Sequence, residues 1–231
     1  MSGIKEKTTK AFKVDLDSRA NQRILKPSAR PSNNQAYQVN EAVEKINKLI
    51  ENAQYSNDDI VLNHNKIKEA FFIPFKPQLK NAQAFLSHSH ADKNKALEVK
   101  NYLESETNHR VFVDSLFWDY KDDVLNKLAE YDDTSKIEDA FTLILRESLE
   151  DMIKKCPYFV FLESNNSVSN QGLSQITHSA WIYEELKIAN GLIADSTLQE
   201  SRTKAMRVSH NITNLLRRFK LISLDSLSIL L

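Results

Sequence analysis

The sequence predicts an α/β fold, a parallel sheet covered by helices on both faces, and three short apolar runs carry that expectation. Ala82–Leu86, Arg110–Asp114 and Tyr158–Leu162 are rich in Phe, Val and Leu, and each precedes a stretch with helical periodicity. A strand buried on both faces reads as a continuous apolar run, whereas a half-exposed strand alternates. Strands of this kind interleaved with helices imply a parallel sheet.

The elements follow in chain order. Residues 1–36 are rich in Lys, Ser and Asn and carry Pro27 and Pro31, which marks a polar, flexible leader. Residues 37–79 read as a helical extension and connector. Val39, Ala42, Val43, Ile46, Leu49, Ile50 and Ala53 fall at helical spacing, and Phe71–Pro77 is an apolar, proline-broken link. The helical face is expected to pack on its own domain. Residues 80–231 form the main domain. Ala91–Glu104 is its first helix, with Ala96, Val99 and Leu103 on one stripe, and Ser89 with Asp92 resembles a capping box. Ile137 to Met152 mark a long helix ending at Lys154-Lys155, where cations suit the helix dipole. Ala180–Leu192 is another helix, residues 197–219 read as helical, and Lys220–Leu224 as a last strand.

Composition narrows the function. The chain holds 31 basic and 31 acidic residues, so no global field recruits nucleic acid or an anionic membrane. The single cysteine, Cys156, allows no internal disulfide and fits a reducing, cytoplasmic setting. No apolar signal segment opens the chain, and no run is long enough to span a bilayer. Glycine occurs only at positions 3, 172 and 191, which excludes a Gly-rich phosphate cradle.

Ligands of open parallel sheets bind outside the carboxyl ends of the strands. Here those ends read Ser87-His88-Ser89-His90, Asp114-Ser115 and Glu163-Ser164-Asn165. Trp181 and Glu185, one helical turn apart, add a ring and a carboxylate to the same crevice. Two other readings stand beside this one. His88-Ser-His90-Ala-Asp92 has the order of a dinuclear metal motif, although Lys93 replaces its next histidine, and the expectation is no metal. Glu185 as a solvated helix residue, Trp181 as packing and Asp114 as a turn cap are the plainer roles. Glu163 is the second carboxylate to consider, and Cys156 reads as a small buried apolar residue.

Four segments then resemble one family, the bacterial type of Toll/interleukin-1 receptor (TIR) domain. AFLSHSHADKNKA resembles its first strand and loop, and VFVD at 111–114 its second strand, which leads into the BB loop. IKKCPYFVFLESNNS resembles the third strand, and Ser179-Ala-Trp-Ile-Tyr-Glu-Glu-Leu186 the helix bearing the catalytic glutamate. The resemblance implies a flavodoxin-like three-layer fold over residues 80–231. It also implies cleavage of the nicotinamide–ribose bond of NAD to ADP-ribose or a cyclic isomer, in anti-phage defence or cell-death signalling. It places catalysis on Glu185 and the pocket on Phe85, Ser87, His88, Asp114 and Trp181. NAD would be substrate, with no cofactor. Partners would be further copies of this chain or other TIR domains, met through the loop after Asp114. The alternative is a non-catalytic TIR scaffold. The sequence departs from the family pattern in a long 119–136 connection, in an insertion at 171–178, and after Ile193, where fourth and fifth strands are hard to find.

Overall fold

The computed structural model describes residues 9–25, 39–52, 54–56, 59–61, 63–72, 81–129, 135–171, 174–193 and 209–231. The chain opens with strand β1 (Lys10–Asp15) and helix α1 (Arg19–Ile24), followed by α2 (Val39–Glu51), the hairpin β2 (Gln54–Ser56) and β3 (Asp59–Val61), and α3 (His64–Phe72). Next come β4 (Ala82–Ser87), a 3₁₀ turn at His90–Asp92, α4 (Lys93–Thr107), β5 (Arg110–Val113), α5 (Ser115–Leu128), α6 (Ser135–Lys155) and β6 (Tyr158–Glu163). The last part holds β7 (Ser169–Gln171), β8 (Ser174–Thr177), α7 (Ala180–Leu192), β9 (His210–Asn211), α8 (Thr213–Leu216), β10 (Lys220–Leu221) and α9 (Leu224–Leu230).

Five strands form the central sheet in the order β10-β1-β6-β4-β5, and every neighbouring pair is parallel. Helices cover both faces, so the expected α/β architecture is present. Strand periodicity divides the core in two. Phe12, Val14, Leu86, Val113, Val160 and Leu162 meet the Ala96–Val99–Leu103 stripe of α4 and Leu224 and Leu227 of α9. On the opposite face Phe85 stacks on Phe112 and Phe159, with ring centroids 5.7 and 5.6 Å apart. That aromatic row is covered by Ile144, Leu145, Leu149 and Met152 of α6 and by Ile182, Leu186 and Ala189 of α7. Helices α2 and α3 join this second layer through Val43, Ile46, Ile67 and Phe71, so the apolar face of α2 packs on its own chain.

Several expectations are corrected. Residues 10–15, assigned to a polar leader, form β1, which lies between β6 and β10 with six residues in register against β6. Lys10 and Lys13 give the segment a polar appearance, yet Phe12, Val14 and Leu16 are buried beneath it. Lys13 is accommodated because its ammonium reaches Glu163 at 3.2 Å. The strand sought after Ile193 is therefore supplied from the N-terminal side of the chain. The connection after the second strand begins as a helix: α5 starts directly after Asp114 and runs to Leu128. The insertion at 171–178 contributes to the small antiparallel sheet β7-β8-β9. Residues 209–219 form β9 and α8 instead of one helix. Ser89 and Asp92 form no capping box, since neither makes a side-chain capping bond. Most of the Phe71–Pro77 connector, residues 130–134 and residues 194–208 lie outside the described residues. Among the described residues no helix is long and apolar enough to cross a membrane.

Candidate active site

Strand alternation places the polar residues that end the strands. Ser87 follows Phe85 by two residues and Asp114 follows Phe112 by two, so both continue the aromatic face toward α7. Because β4 and β5 are neighbours, the two ends lie side by side, and the Asp114 N–H donates to Leu86 O at 3.2 Å. Asp114 then takes hold of His88. One carboxylate oxygen, Oδ1, lies in close contact with His88 Nδ1, and the other, Oδ2, accepts the His88 backbone N–H at 3.4 Å. Both side chains are almost wholly buried. Asp114 sits at the N-cap position of α5 but makes no side-chain capping bond, so its carboxylate serves the histidine and not the turn.

Helix α7 delivers the third group. Ser179 caps it, its Oγ accepting the Ile182 N–H at 3.2 Å, which fixes where the helix starts. Glu185 lies one turn in from Trp181 and turns inward with Ile182 and Leu186. Its carboxyl group is fully buried. Burial pushes its pKa well above the ordinary carboxylate range, and the Asp114 carboxylate adds to the rise, while the Ser87 hydroxyl counters part of it. Among the described residues Ser87 Oγ, Ser115 Oγ, both His88 ring nitrogens, Asp114 Oδ1 and both Glu185 oxygens make no well-directed hydrogen bond. Buried polar groups in this condition carry an unrecovered desolvation cost, and natural proteins gather them at sites of function.

Two cavities adjoin these residues. The first, about 240 Å³, lies at the strand ends and is lined by His88, His90, Asp114, Ser115, Ser179 and Trp181, among others. The second, about 390 Å³, runs between α5, α6 and α7 past Leu125, Asn126, Thr142 and Leu145. Lys121, Asp122 and Trp181 border both, so half-buried Trp181 stands where they meet. Glu185 is not part of either wall and lies behind Asp114 and Ile182.

Of the residues singled out in the sequence, Ser87, His88, Asp114, Trp181 and Glu185 come together. Phe85 lies apart from them: its ring is fully buried in the aromatic row against Phe112 and Phe159 and lines neither of the two cavities. Glu163 is committed elsewhere, paired with Lys13 and accepting a hydrogen bond from Gln175 Nε2 at 3.1 Å. Cys156 is buried. The metal-like order His88-His90-Asp92 is not assembled, because His88 is held by Asp114 and Asp92 accepts hydrogen bonds from Ser164 Oγ and Asn166 Nδ2. Among the described residues no three His, Cys, Asp or Glu side chains gather as a metal would need. Sequence reasoning missed Lys121 and Asp122, which lay in the presumed long connection. The spacing of Tyr120, Val124, Leu125 and Leu128 was the available sign of a helix there.

No family model, curated protein or solved structure matches this chain. The reading of the site therefore rests on its own residues.

Proposed function

We propose that this protein is a TIR-type NAD glycohydrolase or cyclase, with Glu185 as the catalytic carboxylate. The observation that carries the reading is Glu185 itself: a fully buried carboxyl group between Ser87 and Asp114, without a well-directed hydrogen bond to either, one turn from a half-buried tryptophan that borders the crevice. Cleaving a ribosyl–nitrogen bond builds oxocarbenium character on the sugar, as in glycoside hydrolysis. Burial raises the Glu185 pKa in the free protein, and the cationic nicotinamide ring and the charge developing on the sugar would favour the ionised carboxylate, which stabilises that charge most strongly where water is excluded. Ribose hydroxyls would add donors to the Ser87 hydroxyl, and Trp181 would offer a flat surface for the nicotinamide or adenine ring. The two cavities that meet at Trp181 suit a ligand with two ring systems. The order β5-β4-β6 is compatible with the 2-1-3 part of a flavodoxin-like sheet, but the fourth place is taken by β1, which comes first in the chain, so the full order departs from the flavodoxin-like one.

Concentrated protein incubated with NAD, alongside Glu185→Ala, tests the proposal, with nicotinamide and nucleotide products resolved by chromatography. The wild type is expected to release nicotinamide, and Glu185→Ala to slow release on the order of a hundredfold or more. Wild-type silence, or equal turnover by the variant, would move the assignment to a non-catalytic TIR scaffold.

A further inference from the structure

Resting on that reading, we infer that His88 is a second catalytic residue, the general base that deprotonates the attacking water, with Asp114 as its orienting partner. The argument starts from the two ring nitrogens. Nδ1 is engaged by Asp114 Oδ1, and the same carboxylate grips the His88 backbone N–H through Oδ2. A carboxylate that lies against the ring and accepts the peptide N–H of one residue restrains the imidazole, and its charge favours the proton on Nδ1, although the Nδ1–Oδ1 contact is close without being a well-directed hydrogen bond. Nε2 is then left as the acceptor, and among the described residues it too makes no well-directed hydrogen bond. His88 also lines the 240 Å³ cavity, which has room for a water (about 30 Å³ of liquid volume) beside part of a substrate. This carboxylate–imidazole pair with its outer nitrogen unclaimed is the base half of a catalytic triad.

The pair also stands where the reaction needs it. Asp114 faces His88 on one side and Glu185 on the other, so both working groups share one positioning carboxylate. The remaining charged or titratable groups on that cavity are His90, Lys121 and Asp122, and Lys121 and Asp122 are paired with each other at 2.8 Å. His88 is thus the cavity's one imidazole held in place by a buried carboxylate. In the proposed step the bond from ribose C1′ to the pyridinium nitrogen breaks and its electron pair neutralises the leaving nicotinamide. The water oxygen bonds to C1′, and its proton passes to His88 Nε2 and then to solvent. The Asp114 carboxylate stabilises the imidazolium that forms. No oxidant, reductant or further reactant is required.

The test uses the full-length protein and compares wild type with His88→Gln, each with NAD in water and in added sodium azide. Azide attacks as an anion and gives up no proton, so it bypasses a missing base but not a misshapen pocket. His88→Gln is expected to slow ADP-ribose formation on the order of 10²–10⁴-fold, and azide to restore nicotinamide release at least about tenfold, with the glycosyl azide as product. Circular dichroism melting verifies folding. If His88→Gln fails to fold, Asp114→Asn provides the comparison: it keeps the shape, loses the negative charge and the second accepting oxygen that hold the imidazole, and should show the same slowing and azide rescue. Hydrolysis by the folded variant within about threefold of wild type, or slowing that azide does not relieve, overturns the role of His88 while leaving Glu185 standing. A wild type that releases no nicotinamide overturns both assignments.

Discussion

Glu185 is the residue whose environment most departs from what its chemistry prefers, and that departure has a thermodynamic signature independent of activity. Its folded pKa is raised above its unfolded value, chiefly by burial and then by Asp114. Below the unfolded value, near 4.5, both states hold the proton and the group costs nothing. As pH rises from there toward the folded value, the unfolded chain sheds the proton and the fold retains it. Stability therefore falls across that window and levels off above it. Glu185→Gln removes the titration. Its melting temperature should match wild type near pH 4 and exceed it at neutral pH. A melting difference that is flat between pH 4 and 8 would refute the buried placement. Phe85 makes the opposite case. It was grouped with the pocket because it belongs to the motif, but parity puts it in the aromatic row. Phe85→Ala should cost about 3–5 kcal/mol in urea unfolding, as a large-to-small core change does.

At the scale of elements, the site depends on where two helices begin and on how the loops between strands are tied. The α7 start was legible: Ser179 precedes an apolar periodic stretch, and the helix runs from Ala180 to Leu192 as its pattern indicates. Removing the cap with Ser179→Ala should cost about 0.5–2 kcal/mol and let Trp181 and Glu185 fray from register, read as a lower melting temperature. The α5 start was not legible, since Asp114-Ser115 gives no side-chain cap and the following acidic and basic residues resemble a solvated connection. Asp92 was misread for a related reason. Its position after Ser89 suggested a local cap, whereas its oxygens bridge to Ser164 and Asn166, seventy residues away. Asp17, at the end of β1, accepts the Asn165 N–H at 3.0 Å and meets Lys95 at 3.3 Å, so three strand ends are stapled beside the crevice. Local pattern cannot distinguish a capping carboxylate from one that ties distant loops, because both need the same short, acidic side chain. Asp92→Ala should therefore leave helix content unchanged by circular dichroism, while amide exchange in residues 164–168 accelerates.

For the whole molecule, the decisive feature is that the sheet is completed by β1. The three central strands were readable because uninterrupted apolar runs have few other uses. β1 was not, because Lys10, Lys13 and Asp15 dilute its pattern and its strand partners lie nearly 150 residues or more further along the chain. A boundary drawn at residue 80 would cut the sheet in two. Removing β1 would leave β6 with an unpaired backbone edge in the middle of the fold, uncover the Val160–Leu162 side of the core, and strand the two-residue β10. A graded experiment reads this without deleting anything. Val14 is fully buried on the α4–α9 face, so Val14→Asp places an uncompensated charge there and should cost about 3–5 kcal/mol or prevent folding outright. Lys13→Ala removes only a partly exposed ion pair with Glu163 and should cost no more than about 1 kcal/mol. If β1 is integral, both variants unfold in a single transition at shifted urea midpoints, and Val14→Asp loses the near-ultraviolet signal of the aromatic row together with its helices. Should Val14→Asp instead melt like wild type, β1 would be a loosely held edge, and the fourth place in the sheet would need another occupant.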